Sequence, residues 1–139
     1  MNHEALQRKG ITHVIGLSKT SKCDNYPDIH YMCIKDIVTY KDMRKHMDEL
    51  DRAVDYIESA RRAGGRVMSQ CWYGRNRSVT VLVAYLMKYE GMDSEDALGL
   101  IQETRPIADS YRDVVKSYGK HYLNGEGGGG GKANKHDHV

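Results

Sequence analysis

The chain has 139 residues, 40% of them hydrophobic and 29% charged, and its formal net charge at pH 7 is +2. This length suits one globular domain, and so small a net charge argues against nucleic-acid or membrane binding by bulk charge. No apolar run is long enough to span a bilayer, and the N-terminus has no signal-peptide core, so we expect a cytoplasmic protein without a membrane partner.

The first part of the chain alternates helical and strand patterns. Residues 3–9 predict a short helix that Gly10 ends. Residues 11–17 (ITHVIGL) are apolar and β-branched, which indicates a buried strand, and a polar loop over residues 18–28 leads to a second strand at 29–34 (IHYMCI).

The middle of the chain predicts a loop, a long helix and a third strand. Residues 35–42 are interpreted as the loop. From Met43 apolar residues recur every three or four positions, which predicts a helix with Asp42 as its N-cap and residues 63–65 as its end. Residues 66–69 (RVMS) then form a short strand.

The last part of the domain is predicted to be helical. Residues 78–90 are strongly apolar and indicate a largely buried helix. Asp93 caps a further helix that runs to about Thr104, since Pro106 forbids its continuation. A final amphipathic helix is expected within residues 110–123.

Two regions follow from this pattern, a domain over residues 1–123 and a Gly-rich tail over residues 124–139. The tail cannot bury a core, and we expect it to be disordered. Alternating strands and helices favour an α/β domain with a mostly parallel sheet, in which ligands bind at the carboxyl ends of the strands. Cys71 follows the strand at 66–69 and is therefore expected at that edge.

The stretch QCWYGRNRS, residues 70–78, is the strongest functional signal. Gly74 permits a turn whose successive amides face inward as an anion-binding nest, and the next helix, beginning near Ser78, adds its positive end. Arg77 supplies a planar fork of donors that fits phosphate. The loop is therefore predicted to bind a tetrahedral dianion.

The same field favours a reactive sulfur. Helix N-termini and nearby cations stabilise the thiolate of a cysteine. Cys71 would then attack a phosphorus held by Arg77, and Ser78 would hydrogen-bond the thiolate and help it to leave. The alternative is that Cys71 is a small buried hydrophobe, as a lone cysteine usually is.

The chain has two further cysteines, Cys23 and Cys33. The odd number matches no disulfide framework, and the spacing matches no CxxC metal motif. We therefore expect reduced thiols, as in a cytosolic compartment.

The stretch C71-WYGRN-R77-S78 resembles the CxxGxxRS loop of cysteine-dependent protein phosphatases. The segments GITHVIGL, AVDYIESARRAGGRVMSQC and SVTVLVAYLMKYEGMDSEDAL resemble the dual-specificity branch of that family, and the resemblance covers residues 3–123. It implies a sheet of about four or five strands flanked by helices, no metal, and hydrolysis of phosphotyrosine and phosphoserine/threonine esters on protein substrates.

The resemblance also implies substrate contacts within the loop, from Trp72, Tyr73, Gly74, Arg75 and Asn76. The two aromatic residues could stack on a substrate ring or pack as rim residues, and Arg75 could add a cation to the loop or face solvent.

The family uses an aspartate some thirty residues before the cysteine to protonate the leaving oxygen. Asp36 lies 35 positions before Cys71 and opens the loop after the second strand, so it is the candidate general acid. Asp42 is the alternative candidate for the general acid. Asp36 could also be a charged loop residue that only contacts solvent.

Two positions depart from the family pattern. Gln70 stands where the family has a histidine that orders the loop and supports the thiolate. Asn76 stands where this branch often has a small hydroxyl residue, and Asn beside Arg also occurs in RNA 5′-triphosphatases.

Three functions therefore stay open. An active protein phosphatase is favoured by Cys71, Arg77, Ser78 and Asp36, whereas Gln70 favours a pseudophosphatase that binds phosphoproteins with little turnover. Phosphatase action on RNA 5′-phosphates or on a phosphoinositide is the third, although no extended basic stripe supports a nucleic-acid partner. Domains of the family usually have a strand before the first helix, whereas this chain begins almost at that helix. The sheet could therefore lack an edge strand and pair two copies as a homodimer, or the chain could be truncated.

Overall fold

The computed structural model describes residues 3–17, 26–35, 37, 39–71 and 76–123, with the main chain alone at residues 70 and 71. The elements in chain order are α1 (His3–Arg8), β1 (His13–Leu17), β2 (His30–Ile34), α2 (Tyr40–Lys45), α3 (Met47–Arg62), β3 (Val67–Cys71), α4 (Asn76–Glu90), α5 (Ser94–Thr104), α6 (Arg112–Tyr118) and a π-helical turn (Gly119–Leu123).

The described strands form one parallel sheet in the order β2-β1-β3. The central strand β1 is buried from Val14 to Leu17, which agrees with its apolar, β-branched sequence. The register aligns Leu17 with Ile34 on one side and with Cys71 on the other. The predicted α/β fold with a parallel sheet between helices is confirmed, and the last residues of the three strands lie along one edge.

The three predicted strands are confirmed with shifted ends. β1 begins at His13 rather than at residue 11, β2 begins at His30 rather than at residue 29, and β3 runs over Val67–Cys71 rather than 66–69. Cys71 is the last residue of that strand, paired with Leu17, rather than the first residue of the following loop. The nucleophile candidate thus belongs to the sheet backbone.

The predicted N-cap at Asp42 is wrong. Thr39 caps α2: its backbone is extended (φ −132°, ψ 168°), and its side chain accepts a hydrogen bond from the Asp42 amide at 3.2 Å. The Thr39 hydroxyl in turn donates to Asp42 Oδ2 at 2.8 Å, so Asp42 is the reciprocal residue inside the first turn. The predicted single helix is also divided, since His46 (φ −112°, ψ 54°) separates α2 from α3.

Two other predicted helix boundaries agree with the structure. Asp93 caps α5 by accepting the Asp96 amide at 2.8 Å, and the helix ends at Thr104. Gly64 follows α3 with a φ of +83°, a conformation that glycine adopts without steric cost.

The helix α4 lies at the centre of the packing and confirms the prediction of a largely buried helix. Val81, Ala84 and Tyr85 join the main core with the sheet and α3, whereas another set of its side chains packs against α5 and α6. Burying one such aliphatic side chain contributes about 1.5–3 kcal/mol. The position of α4, and hence of its N-terminus, is therefore fixed from several sides. None of the helices in the described ranges has the length and apolar character to cross a membrane.

A row of tyrosine hydroxyls joins α3 to the helices beside it. The chain has 10 tyrosines and no phenylalanine. Four carboxylates of α3 each accept a hydrogen bond from a tyrosine of α4, α6 or the π-helical turn, and the pairs are Tyr122–Asp48, Tyr118–Asp51 (2.6 Å), Tyr89–Asp55 (2.6 Å) and Tyr85–Glu58 (2.9 Å). These pairs, the tyrosine–carboxylate row, fix the lateral position of α3.

Lys88 supplies the positive charge in the middle of the row. Its Nζ lies 2.9 Å from Asp51 Oδ1 and 2.8 Å from Asp55 Oδ1. Burial alone would raise the pKa of Asp55, but the bonds from Lys88 and Tyr89 hold that pKa below its usual value. Burial and the acceptor carboxylates raise the pKa of Tyr118, and they raise the pKa of Tyr89 to about 12. Both hydroxyls therefore remain protonated donors at neutral pH.

We predict that Tyr118→Phe lowers the free energy of unfolding by about 1 kcal/mol, since the ring is fully buried and the substitution removes one hydrogen-bond donor. Asp51 keeps its ion pair with Lys88, which limits the loss. Urea denaturation measures the change. Tyr122→Phe is the matched control, because that side chain is 37% exposed, and it should cost less than about 0.5 kcal/mol. Equal losses in the two variants would contradict the importance of the buried pair.

Candidate active site

The carboxyl edge of the sheet brings the main chain of Cys71 next to the start of α4. β3 ends at Cys71, residues 72–75 connect it to Asn76, and α4 packs against β3. The connection is a strand–loop–helix unit at the edge where parallel α/β sheets bind ligands. The structure therefore agrees with the topology predicted for the phosphate loop.

The first turn of α4 carries Arg77 and Ser78. Arg77 is half-buried, and Ser78 is 8% exposed. A helix leaves the amides of its first turn without intrahelical acceptors, and its N-terminus carries a partial positive charge. This end of α4 can therefore stabilise an anion with backbone donors as well as with a guanidinium.

The charge pattern of α4 differs from that of the other α-helices in the described residues. Each of the others has at least one acidic side chain in its first turn: Glu4 in α1, Asp42 in α2, Asp48 and Glu49 in α3, Glu95 and Asp96 in α5, and Asp113 in α6. The first turn of α4 has none and contains Arg77 instead. No carboxylate of its own first turn neutralises the positive end of α4.

The predicted site residues divide into two groups. The structure brings the main chain of Cys71 and the helical residues Asn76, Arg77 and Ser78 to one edge. The other predicted site residues lie outside the described residues: Asp36, Trp72, Tyr73, Gly74 and Arg75. The prediction that amides in the 72–77 loop face inward therefore stays a prediction.

The chain on either side of Asp36 belongs to the same region. Ile34 ends β2 at the edge shared with Cys71, and Ile37 is fully buried. α2 then begins at Tyr40. These neighbours are compatible with a general acid at position 36, which itself stays a prediction.

Two residues that the sequence analysis did not select lie against the start of α4. The buried Thr80 hydroxyl contacts the Asn76 carbonyl oxygen at 2.5 Å and the Tyr111 amide at 2.9 Å. A lone hydroxyl in the apolar stretch VTVLV (residues 79–83) was the available signal for Thr80. Tyr111 had no such signal, because its contact is made through the main chain across 31 residues.

A polar cluster lies at the start of α2 and α6. Asp113 accepts hydrogen bonds from the Tyr40 hydroxyl and, at 3.2 Å, from Arg44 Nη1. The bond from Tyr40, together with that from Arg44, holds the pKa of Asp113 below its usual value. The Tyr40 ring meets the Tyr111 ring edge-on, with centroids 5.6 Å apart. The cluster thereby connects α2 to the segment that contacts Thr80.

The expectation that all three cysteines are reduced is wrong, because Cys33 is disulfide-bonded. Cys71 is not its partner. Cys33 lies on β2 and Cys71 on β3, and β1 runs between them. Two strand spacings separate their backbones by about 9.5 Å, whereas Cα atoms joined by a disulfide lie within about 7 Å of each other. The remaining cysteine, Cys23, is outside the described residues.

Comparison with known proteins assigns this architecture to a family. Residues 1–115 match the catalytic domain of the dual specificity phosphatases, and the chain belongs to that family. Dual specificity protein phosphatase 1 of Arabidopsis thaliana is 35% identical over 115 residues, which cover 83% of this chain and 57% of that protein. Dual specificity protein phosphatase 16 of Homo sapiens is 31% identical over 137 residues, which cover 96% of this chain and 20% of that protein. The chain thus spans about half or less of these two relatives.

Solved structures show the same fold. The crystal structure of DUSP15 superposes with a TM-score of 0.72 at 24% identity, covering 98% of this chain and 84% of the other. A putative dual specificity phosphatase of mouse, complexed with zinc tungstate, gives a TM-score of 0.70 at 27% identity, covering 83% of this chain and 73% of the other.

The disulfide assignment predicts the reactivity of the cysteines. In non-reducing buffer, iodoacetamide should label Cys71 and leave Cys33 unlabelled, because the backbone spacing keeps Cys71 out of the bond. Peptide mass spectrometry measures the labels. Reduction followed by alkylation is the control, and it should add the label at Cys33. A cross-linked peptide joining Cys33 to Cys71 would contradict the strand order.

Proposed function

We propose that the protein is a cysteine-dependent phosphatase that hydrolyses phosphotyrosine and phosphoserine/threonine on protein substrates. The observation that carries this proposal is the end of β3 at Cys71 followed by the start of α4 with Arg77 and no carboxylate in its first turn. Membership of the dual specificity phosphatase family supports it.

The reaction proceeds in two displacements. The Cys71 sulfur attacks phosphorus and forms an S–P bond, while the P–O bond to the leaving group breaks and Asp36 gives its proton to that oxygen. Water then attacks the phosphocysteine, Asp36 takes a proton from it, and the S–P bond breaks to release inorganic phosphate and the thiolate. Ser78 hydrogen-bonds the departing sulfur. No metal or cofactor takes part.

The phosphoryl group is held by charge and by backbone donors. Arg77 presents two parallel donors to the phosphate oxygens, and the backbone amides in the first turn of α4 add further donors. Substrate contacts are assigned to Trp72, Tyr73, Gly74 and Arg75, which lie outside the described residues, and to Asn76, as the family resemblance implies. The positive end of α4 also favours the ionised sulfur.

The alternative function is that of a pseudophosphatase, and Gln70 favours it. A neutral amide at this position supplies no charge for the thiolate, so the same pocket would bind phosphoproteins with little turnover. Asn76 beside Arg77 is the weaker indication for RNA 5′-phosphates.

The remaining assignments belong to the same proposal. The catalytic domain occupies residues 1–123, and the protein acts in the cytoplasm. The expectation for the tail, residues 124–139, lies outside the described residues. The Cys33 disulfide argues against a strongly reducing compartment, and so it weakens the cytoplasmic assignment. In the described sheet β3 pairs on one side only, with β1, so the open edge remains the proposed surface for a homodimer.

Cys71→Ser is predicted to abolish hydrolysis of p-nitrophenyl phosphate, since a serine hydroxyl at that position is not ionised. The wild-type protein should hydrolyse p-nitrophenyl phosphate, at a rate that Gln70 lowers. Release of p-nitrophenol measures both. Cys33→Ser is the matched control on another strand, and it should retain the wild-type kcat at a temperature where it is folded. Equal rates for the wild type and Cys71→Ser would end the enzyme hypothesis, and a wild type that binds phosphopeptides without turnover would favour the alternative.

Asp36→Asn is predicted to lower kcat by about 10²-fold for phenyl phosphate, whose leaving oxygen needs a proton, and by less for p-nitrophenyl phosphate. In the wild type, activity should fall as pH rises because Asp36 loses the proton that it gives to the leaving oxygen. The activity of Asp36→Asn should not show this fall. Asp42→Asn is the control, because Asp42 serves the start of α2. A loss in Asp42→Asn with none in Asp36→Asn would move the acid to position 42.

A further inference from the structure

Thr80 is a buried hydroxyl where the packing alone would accept a valine. It stands between Val79 and Val81 in α4, and its side chain is 0% exposed. Threonine and valine have nearly the same shape, and burying a hydroxyl costs free energy unless the group is hydrogen-bonded. Its two hydrogen bonds therefore point to a role beyond packing.

The direction of the two bonds is fixed by the proton count. The Tyr111 amide donates to Thr80 Oγ1 at 2.9 Å. A hydroxyl has one proton, and because the amide can only donate, this proton goes to the Asn76 carbonyl oxygen at 2.5 Å. The result is a chain from the Tyr111 N–H through the Thr80 O–H to the Asn76 C=O.

The end of this chain is the peptide group that opens the candidate site. The Asn76 carbonyl and the Arg77 amide belong to one planar, trans peptide unit, in which C=O and N–H point in opposite directions. In α4 the Asn76 carbonyl points toward the body of the helix, where the Thr80 hydroxyl donates to it, so the Arg77 N–H is directed out of the helix N-terminus. Hydrogen bonds in a chain also polarise one another, which strengthens the terminal donor.

The chain begins at a firmly held segment. Tyr111 precedes α6, and its ring packs edge-on against Tyr40 with centroids 5.6 Å apart. Asp113 connects the same segment to Tyr40 and to Arg44 of α2. The Thr80 hydroxyl is thus oriented by α6 and α2 rather than by α4 alone.

We propose that Thr80 is a positioning residue for the oxyanion site, acting through the Asn76–Arg77 peptide to aim and polarise the Arg77 amide at the bound phosphoryl group. This role rests on the proposed function of the 71–77 loop. It gives the Tyr111 segment a part in phosphate binding without contact with the substrate.

The test compares binding of tungstate, a tetrahedral oxyanion, with turnover of p-nitrophenyl phosphate in the full chain. Thr80→Val replaces the hydroxyl by a methyl group and keeps the shape, whereas Thr80→Ala removes both the hydroxyl and the γ-methyl group. Both variants should bind tungstate about tenfold more weakly by calorimetry and lose a similar factor in kcat/KM, a fraction of the ~10²-fold or more lost with a whole oxyanion donor. Thr80→Ser restores the donor and should return both values to near those of the wild type.

Thr104→Val is the matched control. The Thr104 hydroxyl also donates to a carbonyl of the preceding turn, that of Ile101 at 3.2 Å, but it lies at the exposed end of α5. This variant should keep the wild-type tungstate affinity and kcat/KM. Melting temperatures establish that each variant is folded during the assays.

The outcomes separate the two proposals. Wild-type tungstate affinity in Thr80→Val and Thr80→Ala, with only a lower melting temperature, would make Thr80 merely structural and overturn the inference. Failure of Thr80→Ser to restore binding would overturn it as well. A wild type that binds tungstate but does not turn over refutes the proposed enzyme alone, and the tungstate comparison still decides the role of Thr80. A wild type that binds no tungstate refutes both.

Discussion

The parallel pairing of β3 with β1 is the constraint on which the candidate site depends. It places Cys71 opposite Leu17 at the end of the sheet, with Ile34 in line on the other side of β1. A one-residue slip of β3 would turn its side chains to the opposite face. The buried apolar residues of β1 and α4 prevent such a slip, since a shifted strand would no longer match the core.

The helices secure the other half of the site by two kinds of contact. Apolar packing on several sides holds α4, whose first turn faces the carboxyl edge. The tyrosine–carboxylate row then fixes α3 beside α4 and α6, with Lys88 balancing Asp51 and Asp55. The tyrosine hydroxyls thereby fix the position of α3 relative to α4 and α6, which apolar contacts alone would define less well.

Local sequence signals predicted most of the elements, because each depends on residues that are close together in the chain. The β-branched run at 11–17 and the cap at Asp93 are such signals, and both agree with the structure. The cap of α2 was assigned wrongly because Thr39 and Asp42 are both good capping residues three positions apart and bond each other reciprocally. Only the backbone angles at Thr39 distinguish them.

The features that the sequence did not reveal depend on contacts between distant residues. The state of Cys33 depends on which cysteine lies within bonding distance, and an odd count gives no indication of this. The Thr80–Tyr111 bond joins residues 31 positions apart through a main-chain donor, which leaves no pattern in the side chains. By contrast, the Cys71–Arg77 motif was recognised because the loop and the helix start are contiguous in the chain.

The absence of a carboxylate in the first turn of α4 also bears on the stability of the whole domain. An acidic residue there would have stabilised the helix by about 0.3–1 kcal/mol, and the chain forgoes this contribution. An anion that binds the folded chain and not the unfolded one stabilises the fold by RT ln(1 + [L]/Kd), where [L] is the concentration of the free anion. If the proposed site binds oxyanions at this helix end, its occupancy and the folding of the domain are thermodynamically linked, and such anions in solution raise the resistance of the domain to unfolding.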